Sequence, residues 1–420
     1  MKKIFLISML LMAAMAFSLP AARINASQEN FKPIVEEAWK AVTENFYDTT
    51  FNGNDWALVR QELLTREYPT KQEAYAAIHG MLARLNDPAT RFLTPEQFTA
   101  LIGDFSGQSH SGVGLLELLS IDLNEKTKKI TIVTPIPDSP AARAGLRPGD
   151  QVEAIDGIST ANLSLAEATA KLRGEKETPV KLSILRGSKK LNINLKREVI
   201  PPSAPAMRTL VREYGGSKIG YIALSQFTQT SGREMRKAVE ELLQSGVDRF
   251  LLDLRNNPGG AVTACQEIAG IFLGQQSVGW TQGREGKSTE LLARASVTDR
   301  LIDKPLVVLI NQGSASAAEA LAGALQSHRR AKLVGTKTFG KGLIHLPRPL
   351  PDGSALIITI GRLKTPSGRD LLNKAIEPDV AVESADSPAL NPSRKIVATF
   401  QDAQYLSAIK LLVGESLSKK

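Results

Sequence analysis

Apolar side chains along this chain change their repeat distance, and that change constrains the fold more than any single motif. From residue 31 they recur at helical spacing, with Ile34, Val35, Ala38, Trp39 and Val42 on one face of residues 31–46. A second helix is expected to begin near Asp55. A third begins at Thr70, where Thr70 and Glu73 have capping-box spacing ahead of Ile78, Met81, Leu82 and Leu85, and Asn86-Asp87-Pro88 stops it. From about residue 106 the repeat falls to two. Strand candidates at 130–133, 152–155, 180–185 and 191–195 are separated by turn residues, with one helical insertion at 165–172. The Pro-rich stretch 201–205 reads as a linker. Beyond it, strands at 219–223, 250–254 and 306–310 alternate with helices at 232–244, 261–273 and 315–326, and a last helix covers 403–412. Such alternation requires a largely parallel sheet covered by helices. The fold class is therefore α/β and multi-domain: a helical domain at 27–105, a small β domain at 106–198 and an α/β domain at 199–420. With 420 residues, the chain is too long for one ordinary core.

The first residues belong to none of these units. Lys2 and Lys3 precede an apolar stretch over 4–19, and small residues follow with candidate cleavage positions near Ala22 or Ala26. That order is a secretory leader, expected at 1–26, and the alternative is a retained anchor that would tie the protein to a membrane surface. The net charge of +9 follows from 52 basic and 43 acidic residues. Its scatter, without a basic stripe interleaved with aromatics, argues against nucleic acid as a partner. Cys265 is the only cysteine. An intramolecular disulfide and a zinc site built from several cysteines are both excluded.

Two strand-to-helix junctions carry candidate chemistry. At the first, Asp253-Leu254 runs into Arg255-Asn256-Asn257-Pro258-Gly259-Gly260. Paired glycines let the backbone turn sharply, and N–H groups at a helix start can hold an oxyanion, although the same pattern serves as a plain tight turn. At the second, residues 306–310 lead into Asn311-Gln312-Gly313-Ser314-Ala315-Ser316-Ala317-Ala318-Glu319. A serine there stands where α/β proteins gather their sites, yet Ser316 and Glu319 also have capping-box spacing and Ser314 has the position of a helix cap. A serine nucleophile needs a base. The four histidines, His79, His110, His328 and His345, stand in no Ser-His-Asp context. Lys341, between Gly340 and Gly342 and beside Phe339, is the best alternative if burial favours its amine. Cys265 lies among Val262, Ile268 and Phe272 and reads as a core residue; Lys337 and Asp352 read as turn or surface residues.

Taken together, 253–260, 313–319 and Thr338-Phe339-Gly340-Lys341-Gly342 resemble the carboxyl-terminal processing peptidases, also called tail-specific proteases. Thr365-Pro366-Ser367-Gly368 and Ser111-Gly112-Val113-Gly114-Leu115 fit the same family in the same order, and the likeness runs from about residue 31 to 412. The resemblance implies an N-terminal helical region, a PDZ domain and a catalytic domain of the ClpP and crotonase type. It implies Ser316 as nucleophile, Lys341 as general base and the N–H groups of Gly260 and Ala317 as oxyanion hole, with Ser314 as helix cap. The PDZ domain would hold the terminal carboxylate of a protein substrate on the N–H groups of Gly112, Val113, Gly114 and Leu115. No metal or organic cofactor is required.

Two positions depart from the family pattern. His345 stands where many members carry glutamine, and Ser327 stands where some carry aspartate. His345 is expected to bond Lys341 or, as imidazolium, to repel its ammonium form; the alternative is a strand residue with no role. The departures also motivate a different class, a PDZ-bearing binding protein or chaperone whose peptidase site has decayed. A hydrolase using Ser316 with His345 as base is a third reading. Likeness is strongest to cyanobacterial and chloroplast members, which implies export to the periplasm or thylakoid lumen and a photosystem II reaction-centre precursor as substrate. Oligomeric state is not legible.

Overall fold

A computed structural model describes residues 30–105, 108–116, 120–124, 127–200, 206–294, 303–372, 374–383 and 398–415. The leader expected at 1–26 and the linker at 201–205 lie outside the described residues. The helical region consists of α1 (Lys32–Asn45), α2 (Trp56–Leu64) and α3 (Lys71–Ala83). Asp55 caps α2 by accepting the Leu58 N–H at 3.0 Å, and Thr70 caps α3 by accepting the Glu73 N–H at 3.3 Å. Their apolar faces meet at Val35, Ala38, Val42, Ile78 and Leu85, and Leu350, Leu356 and Ile358 from far along the chain fill the same cluster. The reason is β1 (Arg91–Leu93), which follows α3 and pairs antiparallel with a strand of the third unit. The helical region is thereby built onto the third unit. Helix α4 (Pro95–Phe105) then leads to β2 (His110–Gly112).

The middle unit is a sheet of β3 (Ile121–Leu123), β4 (Ile130–Ile132), β5 (Gln151–Ile155), β7 (Pro179–Arg186) and β8 (Lys189–Lys196), joined in that order, with β6 (Ile158–Ser159) on the side of β5. Helix α6 (Leu165–Leu172) covers it, and Ser164 and Glu167 form a full capping box at its start. A second short helix, α5 (Pro140–Arg143), was not expected from the sequence, because four residues are too few to show a helical period. Ser139 caps it and Pro140 opens it, so the local signal was capping chemistry. The unit is closed at its neck by β2 pairing with β9 (Glu198–Ile200).

The third unit has the expected parallel core. Its sheet runs β10 (Met207–Tyr214), β11 (Ser217–Leu224), β12 (Arg249–Asp253), β15 (Leu306–Ile310), β16 (Lys332–Gly335) and β19 (Val380–Ala381). Only the β10–β11 pair is antiparallel. Every residue of β15 is buried, as a central parallel strand covered on both faces must be. Helices α7 (Ser231–Gln244), α8 (Val262–Leu273) and α9 (Ala317–Ser327) cover one face, and Tyr405, Ile409 and Leu412 of α10 (Ala403–Val413) cover the other. A second sheet joins β1, β18 (Ala355–Lys364), β13 (Ser277–Gln282) and β14 (Ser288–Leu292), with β17 (Leu343–Pro349) also on β18. This sheet was not legible beforehand. β18 is buried along most of its length and shows no alternation, while β17 contains two prolines and is half exposed.

Candidate active site

The turn after β15 places Ser316 at the N-cap position of α9 with φ 54° and ψ −115°. A left-handed non-glycine residue is strained, and here a network holds it in place. Asn311 Oδ1 accepts from the N–H groups of Asn256 and Gly313, each at 2.9 Å, and Asn311 Nδ2 donates to Asn256 Oδ1 at 2.9 Å. Ser314 Oγ donates to the Leu254 carbonyl at 2.8 Å and accepts the Asn311 N–H at 3.0 Å. The Ala315 N–H donates to the Asn257 carbonyl at 2.9 Å. The two βα turns singled out in the sequence are thus stitched together. Ser314 is not the helix cap that the resemblance implied: its hydroxyl is fully occupied in bonding the neighbouring turn, and position 316 caps α9.

Gly260, with φ 134°, lies so close to its neighbour that a Cβ there would stand 2.1 Å from the Phe227 carbonyl oxygen. The bridge to Phe227 uses the Gly259 carbonyl at 2.9 Å and the Ala261 N–H at 2.8 Å, which leaves the Gly260 N–H outside it. The Ala317 N–H belongs to the first turn of α9, where backbone donors have no acceptor within their own helix. Gly260, Ser316, Ala317, Lys341 and His345 all line one cavity of about 460 Å³. The rest of its wall is mostly apolar, including Phe227, Val262, Val278 and Leu363. Cys265 lines it too; its thiol is buried, pushed up to about 12 by desolvation, and bonded to the Ala317 carbonyl at 3.4 Å. It is thus the core residue expected, and it also forms part of the cavity wall.

Glu319 is the residue whose importance the sequence hid. It is fully buried in α9 and accepts four hydrogen bonds. Oε2 takes the N–H groups of Ser316 and Lys341, both at 2.9 Å, while Oε1 takes Thr338 Oγ1 at 2.5 Å and the Gly340 N–H at 2.7 Å. Burial pushes its pKa up, against the pull of those bonds. One carboxylate therefore fixes the serine turn against the lysine turn. Capping-box spacing with Ser316 was its only trace in the sequence.

The Lys341 side chain is only 11% exposed, and its Nζ lies 2.5 Å from Oδ2 of Asp122 on β3. His345 lies on β17, and its Nε2 is buried without a hydrogen-bond partner among the described residues. Desolvation, the largest influence on it, depresses its pKa to about 4, so the imidazole is neutral at ordinary pH. The imidazolium expected to repel the Lys341 ammonium is accordingly not present, because burial penalises the second charge more than Asp122 favours it. Ser327 lies at the end of α9, its hydroxyl 3.5 Å from that of Ser367, and does not line the cavity.

A model of peptidase family S41 matches residues 218–382, and a PDZ-domain model matches 131–186. A carboxyl-terminal-processing protease of Synechocystis sp. is 40% identical over 380 residues, covering 90% of this chain and 86% of that protein. Its counterpart in Picosynechococcus sp. is 39% identical over 412 residues, covering 98% of this chain and 95% of that one. This chain belongs to peptidase family S41. Among solved structures, a photosystem II D1 C-terminal processing protease superposes with a TM-score of 0.74 at 32% identity, covering 84% of this chain and 93% of that one. The chain is a serine peptidase of the carboxyl-terminal-processing kind with a PDZ domain, and the Ser–Lys mechanism is general to that family.

In this S41 peptidase the loop 112–115 begins at the end of β2 and does not line the Ser316 cavity. Gly114 has φ 81°, and a Cβ on it would lie 2.2 Å from Ser139 Cβ, so only glycine fits. The carbonyls of Val113 and Gly114 accept from Ala141 and Ile136, at 2.9 and 3.0 Å. Val113 and Leu115 anchor the loop in the PDZ core. Beneath the first βα turn, buried Arg255 joins Asp253 at 2.7 Å and Asp402, the cap of α10, at 2.8 Å. The last helix is thereby clamped under this turn, a link between segments about 150 residues apart that no local pattern announces. Asp352 occupies a turn as expected, and there it accepts from Tyr75 Oη at 2.5 Å, tying α3 to the β17–β18 turn.

Proposed function

We propose that Ser316 attacks the scissile carbonyl, that Lys341 accepts and returns its proton, and that the Gly260 and Ala317 N–H groups stabilise the oxyanion. The observation that carries this reading is the left-handed Ser316 at the head of α9, facing a cavity shared with Lys341, Gly260 and Ala317. In this reading the neutral His345, which lines the same cavity as Lys341, assists the lysine as a hydrogen-bond acceptor during the reaction. The mostly apolar cavity wall suits a nonpolar side chain next to the cut bond. Recognition is assigned to 106–198, with the substrate's terminal carboxylate on Gly112, Val113, Gly114 and Leu115, and hydrolysis to 199–420. The reading includes export to a periplasm or thylakoid lumen behind a cleaved leader, and a photosystem II reaction-centre precursor as substrate; the likeness to a photosystem II D1 C-terminal processing protease supports that substrate. Among the described residues no helix is long and apolar enough to cross a membrane.

The test compares wild type, Ser316→Ala and Lys341→Ala on a protein with a nonpolar carboxyl tail and on a synthetic extension peptide. Each variant is expected to lose about 10⁴-fold or more in kcat. Equal cutting by all three would mean a different nucleophile, and tail binding without turnover by the wild type would mean a binding protein. Cutting of the tailed protein but not the extension peptide would remove the reaction-centre substrate alone.

A further inference from the structure

Helix α4 turns an apolar edge toward the catalytic cavity. Its start is fixed by a reciprocal pair: the Thr94 N–H donates to Gln97 Oε1 at 2.9 Å, and the Gln97 N–H donates to Thr94 Oγ1 at 3.4 Å. Pro95 opens the helix, where its missing N–H costs nothing. Leu101 packs with Leu93, Ala166 and Ile357, and Phe98 lies against the same cluster. Asp104, next to the last residue of the helix, pairs with Arg173. Both ends of α4 are therefore held, and Ile102 and Phe105, three residues apart, are neighbours on its surface.

Ile102 and Phe105 line the Ser316 cavity and are 48% and 42% exposed. Val262, two residues beyond Gly260 at the start of α8, lines it too and is 44% exposed. Apolar side chains scattered singly over a surface call for no explanation, but three on one cavity do. Covering them is favourable in proportion to the apolar area removed from water. The deeper wall is different: Cys265, Val278 and Ala320 are buried, and Ala320 lies one turn beyond Ser316 on α9. The cavity thus has a buried apolar floor near the serine and an exposed apolar rim. Its volume of about 460 Å³ is in the range that takes a drug-sized ligand, which is more than one amino-acid side chain. Among the described residues that line it, Lys341 alone carries a charge, because His345 is neutral. A charged side chain brought onto the rim would lose water and gain no counter-ion from Ile102, Phe105 or Val262.

We propose that Ile102 and Phe105 are specificity-determining residues: with Val262 they hold a second apolar side chain of the substrate, while the buried floor takes the one beside the cut bond. The inference rests on the Ser316–Lys341 reading of the site. The substrate class is then a polypeptide with two apolar residues around the cut bond and no charge at the second of them. The sequence around the cut is read at the cavity itself, independently of the carboxyl end.

The test uses full-length wild type, a double variant Ile102→Ser with Phe105→Ser, and a double variant Ile102→Leu with Phe105→Leu. The substrate is a protein with a nonpolar carboxyl tail whose last residues are kept constant. Leucine, serine and glutamate are placed in turn at each position around the cut, and mass spectrometry identifies the bond broken. Apolar contacts in a pocket discriminate by about 10–200-fold, and a half-exposed rim belongs at the low end. Wild type is expected to prefer leucine over serine by about tenfold in kcat/KM at two positions, and to disfavour glutamate more strongly at the second. In the serine variant leucine and serine become equivalent at the second position, while the preference beside the cut bond persists. The leucine variant keeps both preferences. A wild type with one sensitive position overturns the assignment of the rim, and so does a serine variant that slows every substrate by the same factor. Either result leaves the Ser–Lys reading intact. Retention of cutting by Ser316→Ala in the same assay overturns both.

Discussion

Replacing Glu319 by glutamine removes one charge and almost no volume, so its effect can be worked out from hydrogen bonds alone. The amide has one oxygen where the carboxylate has two. If its NH₂ takes the place of Oε2, it faces the N–H groups of Ser316 and Lys341, and two buried donors lose their acceptor. In the other orientation it faces the Gly340 N–H and Thr338 Oγ1, which already accepts the Ile376 N–H at 2.7 Å. The hydroxyl can turn and accept, but the Gly340 N–H cannot. At least one buried donor is therefore orphaned, at a cost of about 1–3 kcal/mol. The bonds that remain also lose their charge assistance. Against this, burial already raises the pKa of Glu319, so removing its charge recovers desolvation energy. The stability loss should thus fall near the low end, about 1 kcal/mol. Catalysis has no such compensation: Gly340 and Lys341 move relative to Ser316, and a displacement of about 1 Å is worth roughly 10²-fold. Steady-state kinetics on a tailed substrate, together with urea unfolding, should show kcat falling about 10²-fold with KM little changed. A variant with wild-type kcat would refute the coupling of the two turns through this carboxylate.

Gly260→Ala forces a Cβ to within 2.1 Å of the Phe227 carbonyl oxygen and displaces the adjacent N–H; kcat should drop by about 10²–10³-fold, and retention of activity would remove Gly260 from the oxyanion site. His345 titrates near 4 in the folded chain against about 6.5 unfolded, so between these values only the unfolded chain binds the proton. Stability is full above about pH 6.5 and declines as pH falls, by about 3 kcal/mol near pH 4. Urea unfolding of His345→Gln should lack this decline, and an identical pH dependence in both proteins would contradict a buried neutral imidazole. Arg255→Ala leaves the carboxylates of Asp253 and Asp402 buried without their cation, so denaturation should show a loss of about 3–5 kcal/mol and protease should release α10 first.

Most of the parallel core was legible because it is local. The runs at 250–254 and 306–310 are continuous and apolar, and each feeds a helix whose start is marked by glycine or serine. The glycine pair, Ser316 and Lys341 likewise stood out as candidates by type and position, since sharp turns demand small residues wherever the chain goes, but it was the family resemblance that implied their roles. The partnerships among them were not legible. Glu319 looked like a cap because three residues separate it from Ser316, and its bonds to Thr338 and Gly340 cross about twenty residues. Arg255 meets Asp402 across the sheet, and Lys341 meets Asp122 across two units. Periodicity and capping act within a turn or two of chain, so the sequence alone determined the elements and the residues with chemical capacity. Electrostatic pairing and desolvation act through space between segments that only folding brings together. The tertiary structure alone therefore decided that His345 is neutral, that Ser314 stitches two turns instead of capping a helix, and which carboxylate holds the lysine.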